Sequence, residues 1–131
     1  MTVSAADRYP AASGGTIEIT PIIHSSVQLE HAGVVIQIDP WSAGGFSAVK
    51  PADLILITDT PVHHLDVAAI KRLHKPGTSV VIPAAATKQV PDGIVLANGS
   101  LVDFRTAGTK TTASGTGRSQ TYQILHASEV P

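Results

Sequence analysis

Residues 53–66 read DLILITDTPVHHLD, and this stretch carries the strongest fold signal in the chain. Four consecutive apolar residues, Leu54 to Ile57, predict a strand that is buried on both faces, as in the middle of a layered sheet. Polar residues follow directly, and from Leu65 onward apolar residues recur at helical spacing. We therefore predict a buried strand, a polar turn and a helix with Asp66 as its N-cap.

The segments on either side of this stretch predict mainly short strands. Residues 27–30 and 34–38 alternate or run apolar around Gly33, which predicts a hairpin. Asn98-Gly99 is a second hairpin signal, leading into a strand at 101–104. One or two helical turns are predicted at 84–89, and a loop or edge hairpin at 106–118. Further strands are predicted at 16–20, 79–83, 94–96 and 121–126. The fold class is therefore α/β, a layered β-sheet with helices.

The composition limits both the size of the protein and its partners. The chain has 131 residues, which suits one domain, and we divide it into a flexible leader at 1–15 and a single domain at 16–131. The net charge is −1 with no run of like charges, so we expect neither a nucleic-acid partner nor a membrane partner. Cysteine is absent, which excludes disulfides and thiolate ligands. We expect a cytoplasmic protein.

The polar turn holds a dense group of possible metal ligands. Asp59, His63, His64 and Asp66 lie within eight residues, directly after the buried strand. Carboxylate and imidazole groups together suit zinc, iron or manganese. Each residue also has a structural interpretation, since Asp59 can form the turn, Asp66 can cap the helix, and the two histidines can be polar residues of a strand end.

The turn resembles the motif of metallo-β-lactamase-fold hydrolases, which reads His-x-His-x-Asp-His after a hydrophobic strand and is commonly followed by Leu-Asp. On this chain the first two histidines of the motif fall on Asp59 and Pro61, its aspartate falls on His63, and its last histidine falls on His64. The Leu-Asp pair matches residues 65–66. Because proline cannot ligate a metal, the motif is degenerate here, and only His64 is retained unchanged.

The surrounding sequence is similar to one subgroup of that family, the metal-dependent hydrolases related to L-ascorbate-6-phosphate lactonases. The similar segments are PIIHSSVQLEHAGVVIQIDPW at 21–41, AAIKRLHKPGTSVVIPAAA at 68–86 and VLANGSLVDF at 95–104. The resemblance covers about residues 16–104. It implies a half-length relative of the αββα sandwich, and we expect a second copy of the chain to complete that sandwich as a homodimer or higher oligomer.

The resemblance also implies a function and a site. It implies a diverged metal-dependent hydrolase, active or inactive, in which Asp59, His63, His64 and His24 gather one divalent metal ion (zinc, manganese or iron). His63 and Asp59 would then be the catalytic residues, acting on an ester, lactone or phosphoester. His24 also has a structural interpretation, as a histidine whose ring is satisfied within the fold. The alternative function is a non-catalytic oligomeric binding or assembly module that holds no metal.

Overall fold

The structure is a computed structural model that describes residues 5–12, 14–97 and 99, together with the backbone of strands at 101–104, 109–114 and 121–126. It has a mixed seven-stranded sheet and an antiparallel three-stranded sheet. The strands of the first sheet are β1 Asp7–Pro10, β2 Thr16–Ile23, β3 Ser26–His31, β4 Val34–Ile38, β5 Ala52–Leu56, β6 His74–Ile82 and β7 Ile94–Val95. Those of the second sheet are β8 Leu101–Phe104, β9 Thr109–Ser114 and β10 Thr121–His126.

The seven-stranded sheet follows the order of the chain, from β1 at one edge to β7 at the other. Strands β1 to β4 pair antiparallel, whereas β4 to β7 pair parallel. The helix α1, Val67–Leu73, connects β5 to β6, and two 3-10 turns lie at Ser42–Gly44 and Ala84–Ala86. The predicted α/β class is confirmed. No helix in the described part of the chain is long and apolar enough to span a membrane.

Strand β5 forms the centre of the core, as its apolar run predicts. On one face Ile55 and Ile57 pack with Ile70 and Leu73, in the cluster that α1 covers. On the other face Leu54 and Leu56 pack in a second cluster with Ile36, Val81 and Leu96. Each large apolar side chain buried in this way stabilises the fold by roughly 1.5–3 kcal/mol. Because β5 is fixed on both faces, the residues that follow it start from a rigid position.

The β3–β4 hairpin turns through Ala32 and Gly33, which have φ values of 50° and 80°. His31 pairs with Val34 across this two-residue loop. Two consecutive positive φ angles are characteristic of the type I′ turn, whose twist matches that of the flanking strands. The hairpin predicted around Gly33 is therefore confirmed, although Ala32 is an unusual residue for its position.

A buried pair of amides connects β3 and β4 to the loop that leads into β5. The Gln37 Nε2 group donates to Gln28 Oε1 at 2.7 Å and to the Lys50 carbonyl at 2.9 Å. The Lys50 N–H donates back to Gln28 Oε1 at 2.8 Å. Buried polar groups are generally hydrogen-bonded, and these bonds pair Gln37 Nε2 and Gln28 Oε1 while they hold the end of the loop against the sheet.

One local interpretation differs from the structure. The Asn98-Gly99 signal does not join a hairpin, because β7 pairs parallel with β6 whereas β8 pairs with β9 in the other sheet. The turn signal is local, and the choice of strand partner depends on distant segments. Residues 7–10 of the expected leader form β1, which pairs with β2. The division into a leader at 1–15 and a domain at 16–131 stays a prediction.

Candidate functional site

The candidate site lies where three segments of the sheet end close together. Asp39 directly follows β4, Thr58 follows β5 after one intervening residue, and His24 lies in the turn between β2 and β3. The Asp39 N–H donates to the Leu56 carbonyl at 2.9 Å, which continues the pairing of β4 with β5. Parallel neighbouring strands thus bring Asp39 beside the polar turn that follows β5.

Asp39 is the central buried group of the site, with only 1% of its surface exposed. Its Oδ1 accepts the Thr58 N–H at 2.7 Å, and its Oδ2 accepts the Thr58 hydroxyl and the His64 ring Nδ1, the latter at 2.6 Å. Its φ of 45° lies in the left-handed region, which is sparsely populated by residues other than glycine. Such strain persists only where surrounding contacts hold the residue.

The electrostatics of Asp39 reflect two opposing effects. Burial disfavours the charged form and raises the pKa of the carboxyl above its ordinary value. The hydrogen bonds from Thr58 and His64 favour the charged form and oppose the rise. While Asp39 is ionised it can only accept hydrogen bonds, so the contacting Nδ1 of His64 carries the proton. The other ring nitrogen, Nε2, is then the one with a free lone pair.

Three imidazoles and one indole form a cluster beside Asp39. The His63 and His64 ring centroids are 4.4 Å apart, and the His24 and His63 centroids are 6.0 Å apart. The Trp41 ring lies 5.3 Å from His24 and 6.2 Å from His63. We call His24, Trp41, His63 and His64 the aromatic cluster. It brings together three of the four residues that the sequence offers as metal ligands.

The fourth candidate, Asp59, lies in the polar turn after β5. Its Oδ1 accepts the N–H of Thr60 at 2.8 Å. Asp66 accepts the N–H groups of Ala68 and Ala69 at 3.0 and 3.2 Å, so its predicted role as the N-cap of α1 is confirmed. Partial burial alone would raise the pKa of Asp66, but these bonds and one from the Ser42 N–H outweigh it and lower the pKa.

Among residues 5–12, 14–97 and 99, no three His, Asp or Glu side chains are placed so that they could hold a metal ion. The assignment of Asp59, His63, His64 and His24 as ligands stays a prediction. The residue that the predicted ligand set lacks is Asp39, which directly follows the predicted strand at 34–38. The sequence signal that could have identified Asp39 is its position directly after the apolar strand β4, which pairs with β5.

One groove in the described part of the chain lies away from this cluster. It has a volume of about 320 Å³ and lies between α1, β6 and the segment before β7. Its walls are Val67, Ile70, Lys71, His74, Thr78, Ser79, Val80, Gln89, Val90, Pro91, Asp92 and Ile94. None of these residues belongs to the aromatic cluster. The concentration of imidazoles, not the size of a cavity, therefore identifies the candidate site.

Comparison with known proteins gives similar structures but no sequence family. No protein-family model matches the chain, and no curated protein matches it either. A candidate metal-dependent hydrolase from Parabacteroides distasonis has a similar crystal structure, with a TM-score of 0.82 and 28% identity over 93% of this chain and 61% of that chain. Igni18, a metallo hydrolase from the hyperthermophilic archaeon Ignicoccus hospitalis, is similar with a TM-score of 0.69 and 21% identity, over 86% of this chain and 57% of that chain.

These two structural similarities show which part of the fold this chain has in common with metallo hydrolases. The chain spans less than two thirds of the length of either protein, at 61% and 57%. The likeness to Igni18, at 21% identity, concerns the fold alone. The relation to L-ascorbate-6-phosphate lactonases and the degenerate motif stay predictions. The described chain has the fold of metallo hydrolases over the part that it shares with them.

Proposed function

We propose that this chain is a diverged metal-dependent hydrolase in which His64 is the principal ligand of one divalent metal ion. The observation that carries the proposal is the hydrogen bond between the buried Asp39 carboxylate and His64 Nδ1, at 2.6 Å. A histidine that ligates a metal almost always donates its other ring N–H to such a carboxylate or to a carbonyl. Burying a carboxylate is costly unless it is well hydrogen-bonded, and His64 is one of the two residues whose hydrogen bonds compensate the burial of Asp39.

The donors of the aromatic cluster suit a metal by their chemistry. Imidazole is a common ligand of zinc and iron, and His63 and His24 lie next to His64. Asp39 orients the His64 ring, whereas no three ligand groups converge in the described residues. A bound metal would polarise a carbonyl or phosphoryl oxygen and lower the pKa of a bound water. The substrate we propose is an ester, lactone or phosphoester.

The chain's own residues have separate tasks in this proposal. Asp39 fixes the tautomer and direction of the His64 ring, and Thr58 satisfies both oxygens of Asp39 through its N–H and its hydroxyl. His63 and His24 would offer the neighbouring nitrogen donors, although the described residues do not place three ligands around one point. Trp41 packs against the His24 and His63 rings.

A second candidate function is a non-catalytic binding or assembly module. It is favoured by Pro61, which stands where the resembling motif has a ligand, and by the absence of a three-ligand group in the described residues. Its partner would be a second copy of this chain. Leu29, Val34 and Ile38 are only half-buried on the sheet face opposite α1, and a second copy would cover them. Light scattering that finds only monomers would contradict this module.

The single tryptophan supplies the test of metal binding. Trp41 is the only tryptophan in the chain and lies 6.2 Å from the His63 ring. We expect Co²⁺, a fluorescence quencher, to reduce Trp41 emission in a saturable way, and Zn²⁺ to compete with it. His64→Ala should abolish the saturable phase.

His74→Ala is the matched control for His64→Ala. His74 is exposed and pairs with Ala52 at the start of β5, whereas the cluster follows the end of that strand. The control should titrate like the wild type. Equal titration of the wild type and His64→Ala would overturn the metal proposal, and saturable binding that also requires His64 would exclude a metal-free module.

A further inference from the structure

We infer that Ser25 is a positioning residue, which joins the β2–β3 turn to the loop after β5 and thereby sets His24 beside His63. The Ser25 hydroxyl donates to the His63 carbonyl at 2.9 Å, across 38 positions of sequence. The consequence for metal binding rests on the proposed function, but the positioning itself does not.

The turn that carries Ser25 is under backbone strain. Ile23 pairs with Ser26, so His24 and Ser25 alone form the loop between β2 and β3. His24 has a φ of 49°, in the left-handed region that favours glycine. A non-glycine residue in this conformation costs roughly 1 kcal/mol or more, and it persists when tertiary contacts hold it. The turn therefore needs an external anchor to keep the His24 ring in the cluster.

Two consecutive hydroxyls provide such anchors. Ser25 donates to the His63 carbonyl, and Ser26 donates to the Asp39 carbonyl at 2.5 Å. The first bond holds the turn against the loop after β5, and the second holds it against the end of β4. Ser26 is 3% exposed and lies within the sheet, so its bond supports the fold as a whole. Ser25 is half-buried, and its side chain is the one that connects the strained turn directly to a histidine of the cluster.

The hydrogen bond from Ser25 to the His63 carbonyl predicts that the position of the His24 ring beside His63 depends on this bond. With the His63 carbonyl held by Ser25, the His24 and His63 rings keep a centroid separation of 6.0 Å. Without it, the turn is free to relax from the strained His24 conformation, and the ring moves away from His63 and Trp41. The fold should be little affected, because the bond of Ser26 to Asp39 remains.

The experiment compares Ser25→Ala with Ser25→Thr and with Ser47→Ala as a control. Thr keeps the hydroxyl, and Ser47 is an exposed loop residue. The first readout needs no metal and is the set of nuclear Overhauser effects between the His24, Trp41 and His63 rings. We expect Ser25→Ala to lose the effects that involve His24, and both Ser25→Thr and Ser47→Ala to retain them. Thermal unfolding of each variant checks that the fold is kept.

The second readout is the Co²⁺ affinity measured by quenching of Trp41. Loss of one hydrogen bond that holds a ligand should weaken binding about fivefold in Ser25→Ala, and Ser25→Thr should restore it. Unchanged ring contacts in a folded Ser25→Ala protein would overturn the inference. A wild type that retains the ring contacts but binds no Co²⁺ would instead contradict the proposed function and leave the positioning role intact.

Discussion

Replacing Asp39 by asparagine changes the tautomer of His64 while it preserves the shape of the side chain. In the wild type, Oδ1 accepts the Thr58 N–H at 2.7 Å, while Oδ2 accepts His64 Nδ1 at 2.6 Å and the Thr58 hydroxyl. The amide oxygen of asparagine can keep the first bond. Its NH₂ group then faces His64 and can only donate, so Nδ1 must present its lone pair and the ring proton must move to Nε2.

The magnitude follows from the contacts that are lost. A hydrogen bond to a charged group contributes about 1.5–3 kcal/mol, and part of this is offset because asparagine removes the cost of burying a carboxylate, the cost that raises the pKa of Asp39. We expect Asp39→Asn to lower the free energy of unfolding by about 1–2 kcal/mol. Because Nε2 is then protonated, metal affinity should fall by roughly 10- to 100-fold, as for other residues that orient a metal ligand.

Three assays separate these effects. Urea unfolding followed by Trp41 emission gives the stability change, and Co²⁺ titration gives the affinity change. Long-range ¹H–¹⁵N correlation spectra identify the protonated ring nitrogen of His64. Asp39→Asn with an unchanged Nδ1–H tautomer and wild-type affinity would refute the role of Asp39 as the group that orients His64.

Three further predictions concern the scaffold. Ala32→Asn should raise the free energy of unfolding by about 0.5–1 kcal/mol in urea, because Ala32 has a φ of 50° in a type I′ turn and asparagine tolerates that conformation; a loss of stability would contradict this assignment of the turn. Gly44→Ala should lower the free energy of unfolding by about 1–3 kcal/mol, since an added Cβ would lie 2.7 Å from Ile23 Cγ2 and 2.8 Å from Ile22 Cγ2. Gly14→Ala is the comparison for backbone strain without a clash, because Gly14 has a φ of 94° and an added Cβ meets no atom within 4 Å. Partial burial would raise the pKa of Asp53, but bonds from the Val35 N–H and Lys75 outweigh it and lower the pKa below 3.8. The wild type should therefore be more stable than Asp53→Asn by about 0.5–1 kcal/mol above pH 3.8, and this difference should disappear as the pH falls below that value. A stability difference that grows in acid would contradict this sign.

The sequence predicts best where local signals and tertiary burial agree. The run Leu54 to Ile57 predicts a central strand because only a position with two covered faces explains four consecutive apolar residues, and both faces of β5 are covered. Asp66 predicts the start of α1 because capping involves only the next few N–H groups. The signals for the β5 strand and for the Asp66 cap can both be recognised from a few consecutive residues.

The sequence predicts less where distant segments decide the outcome. Asn98-Gly99 has the chemistry of a hairpin turn, yet its flanking strands pair in different sheets. Asp39 becomes part of the site only because β4 pairs parallel with β5, which places residues 25 positions apart in contact. The ligand density at 59–66 does not by itself say which groups converge, because that depends on how the turn folds, and the Asp59 carboxylate accepts the N–H of the next residue.

The most direct test of the central claim is the metal content of the protein, measured by elemental mass spectrometry after purification without a metal-affinity column. If His64, oriented by Asp39, holds a divalent ion, the wild type should contain close to one zinc, manganese or iron per chain, and His64→Ala should contain almost none. A wild type that is free of metal, and that stays free of it after incubation with Zn²⁺, Mn²⁺ or Fe²⁺ and desalting, would contradict the claim.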